Sequence, residues 1–144
     1  MPAATTTNPA ALAGRLRLSA TRLARILRRQ ADIGLSPSQL TALATIEHHG
    51  PMTLGTLAEH ERVAPPSITK AVAKLEAAGL VRRLADPSDG RVARVSTTPQ
   101  GAALLAESRR RKDAWLAARL ADLDPEQRNR LAAALDVLEE LTQR

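Results

Sequence analysis

Charged side chains and turn-forming residues come together in the segment 86–91, which reads Asp-Pro-Ser-Asp-Gly-Arg between two short apolar stretches. Two brief strands joined by such a turn are typical of a β-hairpin. Within the turn, the Asp89 carboxylate can pair with the guanidinium of Arg91 and brace the loop. Arg91 or Arg94 can then project toward a narrow, electronegative groove such as the minor groove of duplex DNA.

The segment before this hairpin, Pro65 to Ala78, has the pattern of an amphipathic helix. On a helical wheel Ile68, Val72 and Leu75 share one side, whereas the opposite side carries small and basic residues. Small residues on an exposed side allow a helix to enter a DNA major groove, which is about 12 Å wide. Lysine can bond guanine acceptors, so we expect Lys70 to contact bases. The residues expected to face DNA from this helix are Pro66, Ser67, Thr69, Lys70 and Lys74.

A groove-sized helix followed by a basic hairpin is the layout of a winged helix-turn-helix, so double-stranded DNA is the predicted partner. The formal net charge of +6 agrees with a polyanionic partner. The chain has one Trp and no Phe or Tyr. Modules that stack single-stranded bases on aromatic side chains are therefore disfavoured.

The composition also argues against several other functions. There is no cysteine, which removes disulfides, thiolate nucleophiles and cysteine-based metal sites. His48, His49 and His60 do not have metal-ligand spacing, because adjacent residues point about 100° apart on a helix. Catalytic motifs are absent, so we expect neither an enzyme nor a cofactor. No apolar run reaches the length of a membrane span and no secretion signal is recognisable, so we expect a cytoplasmic protein that does not contact a membrane.

Apolar periodicity and capping residues predict a mainly α fold with a small β-hairpin wing. Ser36 and Asp124 each precede proline and have glutamine three residues later, as in a capping box. Thr53 and Thr98 are the other predicted N-caps, whereas Ala64 is a poor cap. The predicted elements are helices at 10–31, 37–49, 54–60, 65–78, 99–123 and 125–142, and strands at 81–84 and 92–96.

Two segments resemble the MarR family of bacterial transcriptional regulators. VAPPSITKAVAKLEAAGLVRR, residues 63–83, is similar to the family's recognition helix and its exit into the wing. DPSDGRVARVSTTPQG, residues 86–101, is similar to the wing turn, the second wing strand and the start of the next helix. The order of elements extends the resemblance over nearly the whole chain. Gly90 departs from the pattern, since basic residues are common there, and this leaves open which arginine reaches the minor groove.

The resemblance implies a homodimer held by the first and last helices, with two winged lobes on a palindromic operator. Residues 1–9 contain two prolines, three threonines and no apolar periodicity, which predicts a flexible tail. For the rest of the chain the resemblance implies a helical dimerisation region at 10–35 and 98–144, and a winged helix-turn-helix DNA-binding domain at 36–97. Repression of transcription, and release by a small-molecule effector, are further expectations, although no residue can be assigned to an effector site. Two alternatives stay open: a constitutive DNA-binding protein without an effector, and a winged-helix module that binds proteins.

Overall fold

The computed structural model describes residues 7–143 and confirms a mainly helical chain with a small antiparallel sheet. Two units are distinguished, one of residues 31–109 and one that contains residues 7–30 and 110–143 of the described chain. The elements are α1 (Pro9–Gln30), α2 (Pro37–His49), β1 (Met52–Thr53), α3 (Leu54–Glu61), α4 (Pro65–Ala77), β2 (Val81–Ala85), β3 (Ala93–Thr97), α5 (Pro99–Ala121) and α6 (Pro125–Thr142).

Helix starts follow the predicted caps. At α2, the backbone N–H of Gln39 donates to Ser36 Oγ at 3.2 Å, and the backbone N–H of Ser36 donates to Gln39 Oε1 at 3.1 Å. Asp124 and Gln127 form the same reciprocal pair at α6. Thr53 caps α3 through its hydroxyl oxygen. These bonds satisfy backbone donors of the first turn, which have no partner inside the helix.

The sheet has one more strand than the predicted hairpin. The strand order is β1-β3-β2. Val95 of β3 pairs with Met52 of β1 on one side and with Arg83 of β2 on the other. β1 is only two residues long, too short for the alternation that reveals a strand. Its pairing with β3 makes the second wing strand central, so both of its edges are hydrogen-bonded.

The core of the 31–109 unit gathers apolar side chains from every element around the sheet. The predicted inner side of α4 is confirmed, because Ile68, Val72 and Leu75 are buried. Gly79 has a φ of +75° just after α4, where a glycine ends a helix without the strain that a Cβ would add. The largest fully buried side chains are Leu43, Ile46, Leu57, Val72, Leu75, Val95 and Ser108.

In the unit of residues 7–30 and 110–143, α1 and α6 contain no buried residue. α1 begins at Pro9, inside the predicted tail, because the Asn8 side chain accepts a hydrogen bond from the backbone N–H of Ala10 at 3.0 Å. Residues 1–6 of that tail lie outside the described residues. No described helix is long and apolar enough to cross a membrane. Large apolar side chains are exposed on these two helices: Leu12, Leu16, Leu18, Leu23 and Ile26 on α1, and Leu131, Leu135, Val137 and Leu141 on α6.

Candidate nucleic-acid interface

The outer side of α4 presents every residue that was expected to face DNA from this helix. All five, Pro66, Ser67, Thr69, Lys70 and Lys74, are exposed. The start of the helix relies on Pro65 and Pro66, because Ala64 makes no side-chain cap. The Thr69 hydroxyl donates to the carbonyl oxygen of Pro65 at 3.0 Å. Its proton is therefore used inside the helix, and the hydroxyl oxygen is left to accept.

An ion pair joins this helix to the wing. Arg83 on β2 donates from Nε to Glu76 Oε2 on α4 at 3.0 Å. Both side chains are more than a third exposed, so the pair adds little to overall stability. Its contribution is orientation, because it links the first wing strand to the end of α4.

Asp86 organises the base of the wing and was not given this role by the sequence. Asp86 Oδ1 accepts from the backbone N–H of Ser88 at 2.8 Å and from its hydroxyl at 2.6 Å, while Oδ2 accepts from Arg94 Nε at 2.6 Å. The residue is buried. The Ser88 hydroxyl and then the Arg94 guanidinium hold the pKa of the Asp86 carboxyl well below its usual range. The bond to an N–H two residues ahead is an Asx-turn, which Asp favours.

The two candidate arginines of the wing have different surroundings. The predicted brace is present, since Arg91 Nε donates to Asp89 Oδ1 at 3.2 Å. The Arg91 side chain is 92 % exposed at the hairpin tip, whereas Arg94 is 41 % exposed and held by Asp86. Arg91 is therefore the more accessible of the two arginines, and its exposed ion pair with Asp89 contributes little to stability.

The start of α2 lies beside the outer side of α4, which sequence reasoning missed. The predicted capping box gave the residue at which α2 begins. No local sequence pattern shows which helix α2 packs against. The two helices border a shallow groove of about 230 Å³. It is lined by Ser36, Ser38, Gln39, Ser67, Lys70, Ala71 and Lys74. This groove extends the polar and basic surface of α4 onto α2.

The histidines are not arranged around a common point. The rings of His49 and His60 stack with their centroids 4.5 Å apart, and His48 meets His49 edge to face. Over residues 7–143, no group of three histidine, aspartate or glutamate side chains is placed to hold a metal ion.

Comparison with known proteins agrees with this geometry. The sequence model of the MarR family matches residues 35–93. An HTH-type transcriptional regulator of Mycobacterium bovis is 45% identical over 130 residues, which cover 90% of this chain and 91% of that protein. A Pseudomonas aeruginosa protein assigned as a transcriptional regulator has a TM-score of 0.85 and 36% identity, with 96% of this chain and 99% of that chain covered. The fold is also that of a Staphylococcus aureus MepR mutant bound to an oligodeoxyribonucleotide, at a TM-score of 0.71 and 18% identity, with 90% and 97% covered.

Proposed function

Because this chain belongs to the MarR family, whose members are DNA-binding transcriptional regulators rather than enzymes, we propose that it is a cytoplasmic repressor. It acts as a homodimer on a palindromic operator. The observation that carries the proposal is that α4 and the wing, which belong to the same unit, both expose basic side chains. Lys70 is exposed on α4, Arg91 is exposed on the hairpin, and the Arg83–Glu76 pair links the helix to the hairpin.

In this proposal α4 enters the major groove. Its exposed small residues, Ala73 and Ala77, allow close approach. Lys70 contacts base edges, and Ser67 contacts bases or phosphates from the first turn. Arg91 leaves Asp89 and enters the adjacent minor groove, where the electrostatic potential is most negative. Asp86 and Arg94 do not read DNA but keep the hairpin in the shape that presents Arg91.

The exposed apolar side chains of α1 and α6 support a homodimer. Soluble proteins rarely leave so many large apolar residues on one pair of helices without a partner. A two-fold axis makes the operator palindromic. The two α4 helices then lie roughly 34–36 Å apart, one helical turn of DNA. An effector that stabilises a different separation would release the DNA.

The decisive test is to select bound sequences from a pool of random duplexes with the purified protein. We expect a palindrome with half-sites one helical turn apart. Asymmetric half-sites would contradict the dimeric arrangement, and the absence of enrichment would favour a protein-binding module. Affinity should also fall steeply with salt, since several phosphate contacts release counterions.

Lys70→Ala tests base reading by α4. On the selected operator it should cost about 1–3 kcal/mol of binding free energy and narrow the difference from random DNA. Lys112→Ala, a lysine on α5 outside the winged unit, is the matched control and should leave the operator preference unchanged. Equal weakening on operator and random duplexes would assign Lys70 to phosphate instead.

Leu135→Glu tests the dimer. Leu135 is 46 % exposed on α6, and a charge there should produce single chains in sedimentation velocity, because an unpaired charge is costly inside an interface. Leu84→Glu is the matched control, since Leu84 is an exposed apolar residue of the wing. The Leu84→Glu protein should stay dimeric. A dimeric Leu135→Glu protein would place the interface elsewhere.

A further inference from the structure

A second groove lies against the other flank of α4 and contains an acidic side chain. It has a volume of about 270 Å³ and is bordered by the first turns of α2, the turn between α3 and α4, and the inner edge of α4. Its apolar walls include Pro37, Val63, Ile68 and Ala71. Its polar members are Ser38, Thr41, Glu61 and Ser67. All of them belong to the 31–109 unit.

Glu61 is the only ionisable side chain in the lining of this groove. It accepts a hydrogen bond from the hydroxyl of Thr45 on α2, which anchors one carboxylate oxygen. Among the described residues it forms no ion pair, in contrast to Asp86, Asp89 and Glu76, whose carboxylates are held by arginines. A partly buried carboxylate with a free oxygen and no cation attracts a positively charged group.

The walls define the rest of the ligand. Val63, Ile68 and Ala71 present aliphatic surface, which favours burial of an apolar body. A volume of about 270 Å³ accommodates a body the size of one aromatic ring on a short chain. The neighbouring polar groove shares Ser38, Ser67 and Ala71 but is bordered by Lys70 and Lys74, so positive charge in the ligand is favoured only at the Glu61 end.

We propose that this groove binds a small organic ammonium ion with an apolar body. The ammonium group donates to the free carboxylate oxygen of Glu61, and the body lies between Val63 and Ala71. Ser67 lines the groove and also belongs to the DNA-facing side of α4. A ligand body beside Ser67 therefore occupies space that the DNA backbone needs, and the ligand and the operator compete. This competition rests on the proposed function, whereas binding of the ammonium ion does not.

The direct experiment titrates 2-phenylethylammonium into the isotope-labelled full chain without DNA and follows backbone amide NMR signals. We expect the largest shifts at Thr41, Val63, Ser67 and Ala71. The neutral analogue 2-phenylethanol has the same body and can still donate one hydrogen bond to Glu61, but it lacks the positive charge, so it should bind about tenfold more weakly. Equal binding of both compounds, or shifts confined to α1 and α6, would overturn the proposal.

Two variants separate charge from shape. Glu61→Gln should weaken binding of the ammonium ion about tenfold while it leaves binding of the alcohol unchanged. Glu59→Gln, an exposed acid on the same helix outside the groove, is the matched control. Thr41→Leu fills the groove and should weaken both compounds. If Glu61→Gln binds the ammonium ion as tightly as the parent does, the assignment of the site is refuted. Unchanged affinity of Thr41→Leu for the two compounds would refute it as well.

Competition is measured separately, as operator affinity with and without saturating 2-phenylethylammonium. We expect the ligand to raise the operator Kd of the parent at least tenfold. At the same ligand concentration the operator Kd of the Thr41→Leu protein should not change. An operator Kd that does not change while the ligand is bound would refute the competition. A chain that binds the ammonium ion but no DNA would refute the proposed function alone.

Discussion

Gly101 lies in the first turn of α5, directly against the backbone of Leu80, the residue before β2. This close contact is possible because glycine has no side chain. A Cβ built at this position would overlap the carbonyl oxygen of Leu80 and would lie 2.8 Å from Thr97 Cγ2. That carbonyl also accepts a hydrogen bond from the backbone N–H of Thr98 at 3.0 Å. Gly101→Ala should therefore force α5 away from the residue that leads into β2.

The expected cost follows from two opposing effects. Overpacking a closed site costs typically about 1–3 kcal/mol, and the upper end applies because a backbone carbonyl cannot rotate away as a side chain can. Alanine in place of glycine recovers at most ~1 kcal/mol of helix propensity. The net loss in the free energy of unfolding should be about 2 kcal/mol, or a Tm lower by about 6 °C for a chain of this size.

The assay is urea unfolding of parent and variant at one protein concentration, since dimer stability depends on concentration. Gly55→Ala is the matched control. Gly55 also lies in the first turn of a helix of the same unit, but its added Cβ would find only Thr53 Oγ1, at 3.9 Å. It should be neutral or stabilising by roughly 0.5 kcal/mol. A Gly101→Ala protein as stable as the Gly55→Ala protein would refute the close approach of α5 to Leu80.

Two further predictions concern the wing. Arg91→Ala should weaken operator binding while thermal stability and dimer content stay nearly unchanged, because an exposed ion pair contributes little to folding; a monomeric or unfolded variant would show that Arg91 is structural. Asp86→Asn should weaken operator binding through the hairpin shape. Because folding lowers the pKa of Asp86, the stability advantage of the parent over Asp86→Asn should be complete above about pH 4 and decline as the pH falls below that value. Urea unfolding from pH 7 to pH 3 measures it, and an advantage that grows on acidification would contradict the Asp86 network.

The local features of the fold were predictable because they depend on residues three or four positions apart. The capping pairs of Ser36 with Gln39 and Asp124 with Gln127 are such features, and both are present. The side of α4 that faces the core was predictable for the same reason, since the spacing of Ile68, Val72 and Leu75 alone defines it. The exposed residues of α4 follow from this by exclusion. The brace between Asp89 and Arg91 is equally local.

Contacts between distant segments had no such signal. β1 is a strand only because β3 lies beside it, and no property of Met52 and Thr53 alone requires that pairing. Arg91 and Arg94 were both candidates for the minor groove, and no sequence pattern showed that the register of the hairpin brings Arg94 to Asp86, eight residues away. The sequence thus predicted that the wing carries basic residues, whereas only the folded hairpin shows that Arg91 is 92 % exposed and Arg94 41 % exposed.

The sequence by itself determined the helices, their caps and the basic side of α4, and it predicted DNA as the partner, because side-chain periodicity and charge follow directly from the order of residues. Only the tertiary structure decided that Asp86 anchors the wing, that Gly101 must lack a side chain, and that α2 forms a groove with α4 beside Glu61. The physical reason is that burial and close approach are properties of the space between elements, and that space exists only after the elements have packed.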